Sequence, residues 1–272
     1  MDKGFSPSVA LVAVAVAAMC VGCSIKEDRS LCPCSLALDF SDVEASVADM
    51  SEVYISAPGG FLYHDEEAVL GMAEAEVSGE VRRVYSVDVP KTQVDVSVVS
   101  GAGGGFVPGK GISIRTGEQC PPVFLHYSRL DAVAEWRIVP VKLRKDYCRI
   151  DIRMLASAGE YPFRLTVKGN VCGINADRSV AEGSFSYSFV PDSDGSGAVR
   201  VPRQLDNSLV LQVLDGDRVL REFALGEYIA ESGFDWTQED LADVGVEIDY
   251  ANSYIKVKVA EWSGSFGFDI VI

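Results

Sequence analysis

Histidine is almost missing from this chain. His64 and His126 are the only two in 272 residues. Proton transfer at neutral pH therefore has few carriers, because histidine is the side chain whose unperturbed titration falls there. No Gly-x-Ser-x-Gly elbow occurs, and no cysteine stands with a histidine in a recognisable catalytic signature. The expectation is a protein that is not an enzyme, with no catalytic residue. Basic charge is scarce as well: 24 Lys and Arg face 40 Asp and Glu, for a net charge of −16. A phosphate backbone demands a Lys/Arg-rich face, so nucleic acid is excluded as a partner. Metal ligands are also short. Cys32-Pro33-Cys34 looks like half of a metal or redox motif, but no second close pair follows it. With so few histidines, no metal site is expected, and no cofactor.

Two further motifs fail on their chemistry. Gly104 to Lys110, GGFVPGK, has the spacing of a P-loop. That loop needs Ser or Thr next, to hold Mg²⁺, and a helix whose N-terminus meets phosphate. Gly111 follows instead, and Ile112-Ser113-Ile114 reads as strand. Asp192 to Gly197, DSDGSG, starts like a calcium loop but lacks the later ligands and the terminal bidentate Glu. It reads as a solvated hairpin loop. His64, followed by Asp65-Glu66-Glu67, reads as a surface charge cluster; His126, on an apolar strand, reads as a satisfied core or edge histidine.

What the chain does have begins at its N-terminus. Val9 to Met19 is an unbroken apolar run. It falls short of the roughly 20 residues that cross a bilayer. It sits behind Lys3 and ends in small residues, as a secretory signal does. Val21-Gly22-Cys23 resembles the lipobox of bacterial lipoproteins, with Cys20 where that motif usually has Leu. The resemblance implies a signal peptide over 1–22, cleavage before Cys23 and acylation of Cys23, with 23–34 as a lipidated tether. Burying acyl chain contributes about 0.8 kcal/mol per CH₂, so several chains together hold almost permanently. Lys26-Glu27-Asp28 resembles a surface-export signal of Bacteroidales lipoproteins; its other reading is a solvated, charged tether.

The seven cysteines then divide. Cleavage removes Cys20 and acylation occupies Cys23, leaving Cys32, Cys34, Cys120, Cys148 and Cys172 in an oxidising compartment. Five allow at most two bridges, and spacing does not assign the pairs. At least one disulfide is expected among them, with Cys32 or Cys34 tying the tether's end to the first domain.

From Leu36 onward the pattern is strand after strand. Segments 36–41, 163–167 and 185–189 alternate with period two, the signal of a half-buried strand. Segments 81–89 and 93–100 are expected to pair around Pro90-Lys91-Thr92. Segments 209–214 and 219–223 flank Asp215-Gly216, where both residues tolerate positive φ, and read as a hairpin; 246–250 and 254–259 read as another. Helix is expected at 225–230 and at 237–243, the latter opening on a near capping box, Thr237 to Asp240. Short strands punctuated by turns indicate an all-β protein of sandwich type. Two sandwiches, 35–140 and 141–272, fit the length better than one.

Several segments together resemble one family. They are Cys23 to Ser30 with Cys32-Pro33-Cys34 and Leu36 to Phe40; Tyr85 to Pro90; Val141 to Ile150; Leu225 to Ile229; and Asp249 with Trp262. The family is that of the fimbrial anchor, or minor fimbrial, subunits of Bacteroidales type V pili. The resemblance implies two tandem transthyretin-like β-sandwiches on a lipid anchor, surface-exposed at the outer membrane. It implies a place at the base of a fimbria, holding the stalk and limiting its length, with fimbrial stalk subunits as partners. Such subunits join by donating a β-strand into a neighbour's groove, and sandwich edges can accept one. Segment 266–272 is a candidate for that pairing, or packs within its own domain. A surface glycan-binding lipoprotein is the second reading. Trp136, Trp236 and Trp262 are the residues its stacking platform would use, although each sits where core packing is the commoner fate. A lipid-tethered hydrolase ranks third.

Overall fold

The computed structural model describes residues 32–77, 79–155, 163–249, 254–259 and 262–267, the last through its backbone. The apolar run 9–19, Cys23 and Lys26-Glu27-Asp28 lie outside the described residues. Strands are numbered along the chain. β1 (Cys34–Asp39), β4 (Met72–Val77), β5 (Glu80–Val89) and β10 (Trp136–Pro140) form one sheet, ordered β10-β1-β5-β4. β2 (Ser51–Ala57), β3 (Phe61–Asp65), β6 (Gln93–Ser100), β9 (Phe124–Asp131) and β11 (Arg144–Lys145) form a second, ordered β11-β9-β6-β2-β3. The two close over a shared core in which Leu36, Leu38 and Phe40 meet Val53, Ile55, Val94 and Val96. Each such side chain stabilises the fold by about 1.5–3 kcal/mol on burial. A single helical turn, α1 (Ala45–Ala48), joins β1 to β2.

The second sandwich follows the same logic. β12 (Tyr147–Leu155), β15 (Ser196–Pro202), β18 (Val244–Asp249), β19 (Tyr254–Val259) and β20 (Trp262–Gly267) form one sheet, ordered β15-β12-β18-β19-β20. In β12 buried and outward residues alternate without a break, and Ile150, Ile152 and Met154 point inward. The opposing sheet centres on β13 (Arg164–Ile174), with β14 (Val180–Phe189) on one side. On its other side lie β16 (Val210–Asp215) and β17 (Arg218–Phe223). Helix α2 (Leu225–Glu231) seals the core with Leu225 and Ile229. Among the described residues no helix is long and apolar enough to cross a membrane.

The second sandwich also takes a piece of chain from upstream. β7 (Phe106–Val107) and β8 (Gly111–Ser113) form a small hairpin that extends the β13 sheet, Gly173 and Ile174 pairing with Ser113 and Ile112. Two glycines make the join. Gly111 has φ +96, and a Cβ there would stand 2.0 Å from the Ile174 carbonyl oxygen; a Cβ on Gly173 would stand 2.2 Å from that of Ile112. Backbones approach so closely that only glycine fits. The chain therefore crosses between sandwiches after β6, before β9 and after β11.

These crossings give the first sandwich two unlike ends. β1 runs parallel to β10, with Ser35 opposite Trp136 and Asp39 opposite Pro140. The chain begins this sandwich at Cys34 and leaves it past Pro140, at the end that meets the second sandwich. At the Cys34 end stand the 90–92 turn between β5 and β6 and the 132–135 loop between β9 and β10.

Several local expectations change. β5 and β6 do not pair with each other: β5 lies against β1 and β4, β6 against β2 and β9, so the 90–92 turn crosses between sheets. Alternation fixes which face is buried but not the neighbour. The 192–197 loop likewise passes from β14 in one sheet to β15 in the other, with Ser196 bonded to Asp194. Segment 237–243 is not helical. Asp235 takes the Thr237 N–H at 2.8 Å, and Asp240 and Asp243 reach across to Arg144, Lys145 and Arg149. Tertiary partners outcompete the helix for those carboxylates. The 66–76 region holds a 3-10 turn over Ala68–Gly71 and then β4. The two expected hairpins form, β18–β19 in unbroken register and β16–β17 with a shift between Val213 and Leu214, and the expected helix at 225–230 is α2.

Candidate functional site

Two features of this fold stand open at its surface. The first is a set of strand edges. Among the described residues β3 pairs only with β2, β4 only with β5, β14 only with β13, β17 only with β16 and β20 only with β19. An edge presents backbone N–H and C=O groups that another strand can use, and charge or bending blunts it. Glu74 and Glu76 blunt β4, and Arg218 and Arg221 blunt β17. The first half of β14 meets β13 irregularly, with register shifts at Gly169/Val171 and Val171/Gly173. Its Phe185–Phe189 half runs in regular register and bears no charge. One carbonyl of that half, on Ser186, accepts the Gly117 N–H at 2.7 Å. The backbone of β20 pairs in cis with β19, Phe266 opposite Ile255, while 268–272 lie outside the described residues.

The second feature is a cleft of about 520 Å³ along the seam between the sandwiches. Its floor is the outer face of β6 and β9, and Pro108, Gly109 and Lys110 overhang it. Asp95 and Arg129 stand directly opposite each other on these strands. Arg129 donates to both carboxylate oxygens of Asp95, at 2.6 and 3.0 Å, and the Tyr127 hydroxyl donates at 2.9 Å. The Arg129 hydrogen bond holds the Asp95 carboxyl below the usual carboxylate range. Burial, then the Asp95 contact, raises the Tyr127 hydroxyl. Beside them Tyr54 stacks flat on His64, ring centroids 4.1 Å apart, and tilts against Phe106 at 4.8 Å. Its hydroxyl donates to Glu52 at 2.5 Å. The cleft itself offers fixed charges, amide and hydroxyl groups and the Tyr54 ring, a set suited to a hydroxyl-rich ligand.

The residues singled out from the sequence scatter. His64 belongs to the Tyr54 stack, with Nε2 3.4 Å from Glu52. His126 is buried, its Nδ1 accepts the Lys142 N–H at 3.1 Å, and burial pushes its pKa down to about 4. Gly104 to Lys110 leads through β7 into strand β8, and no helix N-terminus faces the loop. Trp136 is 52% exposed on β10, whereas Trp236 is packed in the second core against Phe234, so these two form no common platform. The side chain of Trp262 lies outside the described residues.

The described cysteines are unpaired. Cys32, Cys34, Cys120, Cys148 and Cys172 are all free thiols, so the bridge expected among them is absent from the described residues. Cys34 is buried in the first core and Cys120 and Cys148 in the second. Burial raises the pKa of each of those three thiols, keeping them protonated. Cys172 donates to the Glu182 carbonyl at 3.5 Å. No group of His, Cys, Asp and Glu among the described residues is arranged to hold a metal ion.

The chain matches no family model and no curated protein. Solved structures do match. A candidate polysaccharide-binding protein from Bacteroides thetaiotaomicron superposes with a TM-score of 0.60 at 13% identity, over 86% of this chain and 98% of that one. A candidate adhesin from Bacteroides ovatus gives 0.57 at 13% identity, over 89% and 97%. The fimbrial anchor protein Mfa2 from Porphyromonas gingivalis gives 0.53 at 10% identity, over 85% and 99%. The chain thus has, over most of its length, the fold of the fimbrial anchor Mfa2 and of these Bacteroides polysaccharide-binding and adhesin candidates.

Proposed function

We propose that the protein is the lipid-anchored base subunit of a cell-surface fimbria, held in the outer membrane through Cys23 and joined to a stalk subunit by strand pairing. The observation that carries this reading is the fold shared with a fimbrial anchor protein across nearly the whole of both chains. The Val21-Gly22-Cys23 lipobox and the Lys26-Glu27-Asp28 triplet support a tethered, surface-exposed location. The regular, uncharged half of β14 supports strand addition there, with the Gly117 contact the one an incoming strand would displace. The role is non-enzymatic.

The test is purification from the outer membrane in mild detergent, through a tag inserted at the exposed residues 192–194. Copurifying chains are identified by mass spectrometry and the sample is viewed by negative-stain electron microscopy. Attached filaments or stalk subunits are expected. A clean monomer from cells that are making fimbriae would sink the reading. In parallel, Cys23→Ala should release the folded protein and its fimbria into the medium.

A second reading, glycan binding, is favoured by the Asp95–Arg129–Tyr127 cluster in an open polar cleft. It predicts polysaccharide retention that Arg129→Ala abolishes.

A further inference from the structure

We propose that the Cys34 end of the first sandwich rests on the bilayer, with the 133–136 loop tip seated in its interface. This rests on the anchor reading above. Cys34 opens β1 only eleven residues after Cys23. A fully extended chain spans at most about 3.6 Å per residue, so Cys34 can stand no farther than roughly 40 Å from an acylated Cys23. Whatever that end exposes is held against the membrane at high effective concentration.

Part of what it exposes is apolar. The loop from β9 to β10 presents Val133 at 69% exposure, Ala134, and Trp136 at 52%. Trp136 lies directly opposite Ser35, one residue from where the tether joins the fold. Tryptophan combines an apolar body with a polar N–H and concentrates where membrane meets water. Neither Val133 nor Trp136 belongs to the first core. The surrounding charges are mixed: Lys91 and Arg137 stand among Asp88, Asp131 and Glu135, and Arg137 is bonded to the Asp131 carbonyl at 2.7 Å. Net attraction to anionic headgroups is therefore not the cause, and the contact is interfacial rather than electrostatic. Because β1 and β10 run parallel, the second sandwich is attached at the opposite end. The seated end fixes the molecule's polarity and turns the far loops of the second sandwich outward.

The experiment uses the acylated full-length protein in phospholipid vesicles that carry a nitroxide high on the acyl chain. Mass spectrometry of the N-terminal peptide establishes the lipid on Cys23 in the same sample. Tryptophan emission should be partly quenched, and Trp136→Ala should remove most of the quenchable fraction. The quenching should persist at high salt, which screens charge attraction. Val133→Asp, at an exposed position that leaves the core alone, should reduce it several-fold. A tryptophan introduced by Val190→Trp, in the Trp136→Ala background, should stay out of the nitroxide's reach at the far end. Acylated protein whose quenching is the same in wild type and Trp136→Ala would overturn the inference while leaving the anchor reading intact. Absence of lipid on Cys23 would overturn both.

Discussion

Arg178 grips Asp146 through two hydrogen bonds of 2.9 Å, one to each carboxylate oxygen. Arg203 adds a third at 3.1 Å, and Asp146 is 1% exposed. Asp146 lies on the crossing between sandwiches, so the pair locks that crossing against the β13–β14 turn. Arg178 adopts φ +70, the one non-glycine residue among those described with positive φ. Such backbone costs about 1 kcal/mol or more and persists only where its surroundings hold it. Removing one partner of a buried pair strands the other. Asp146→Ala should therefore destabilise by about 3 kcal/mol in urea unfolding. Arg178→Gly should cost less than Arg178→Ala, because glycine relieves the strain.

The β8–β13 junction makes a sharper demand. Gly111→Ala places a methyl 2.0 Å from a carbonyl oxygen at a positive φ, and Gly173→Ala one at 2.2 Å from another. Backbone has to move in either case, at a cost of about 1–3 kcal/mol. Limited proteolysis between residues 103 and 110 should accelerate in both variants, while an alanine at Gly103, where nothing stands within 4 Å, should have a smaller effect.

His126 makes stability depend on pH. Its folded pKa, about 4, lies below the ordinary 6.5 because burial disfavours the cation. Between those values the unfolded chain binds a proton that the folded one does not. Stability is therefore full above pH 6.5 and falls as pH drops toward 4, by up to about 1.4 kcal/mol per unit. His126→Asn, which keeps an acceptor near the Lys142 N–H, should flatten the unfolding midpoint across that window. An unchanged slope would refute the assignment.

Thiol reactivity follows exposure and thiolate fraction. Cys32, exposed, and Cys172, half-buried, should alkylate in the native protein, whereas Cys34, Cys120 and Cys148 should react only on unfolding. Peptide mapping after native and denatured labelling checks this. Recovery of a bridged pair would overturn it.

The β-sandwich character is legible in the sequence because strands such as β12 and β16 carry a clear apolar face. Pairing is not. Nothing local to β5 or β6 says that a three-residue turn carries the chain to another sheet, and β7 and β8 are too short for any period to register. The apparent capping box at Thr237 reads as helix because its acids give no sign of Arg144 and Lys145, nearly a hundred positions away. The cleft is hidden for a related reason. Asp95 and Ser97 on β6, and Tyr127 and Arg129 on β9, are the polar half of an alternation whose apolar half draws the eye. The cross-strand match of Asp95 to Arg129 is the available signal, but it needs the register to be known first.

The placement of β1 has a mechanical meaning. A pull between the N-terminus and the second sandwich runs along β1, which is bonded to β5 on one side and to β10 on the other. Tension of that direction loads the rungs of both ladders together, in shear, instead of opening them one after another like a zip. Rupture then requires many hydrogen bonds to fail at once, and lifetime under load is set by that barrier to unfolding. A strand held on both flanks at the point where force enters is how a small sandwich becomes a durable mooring.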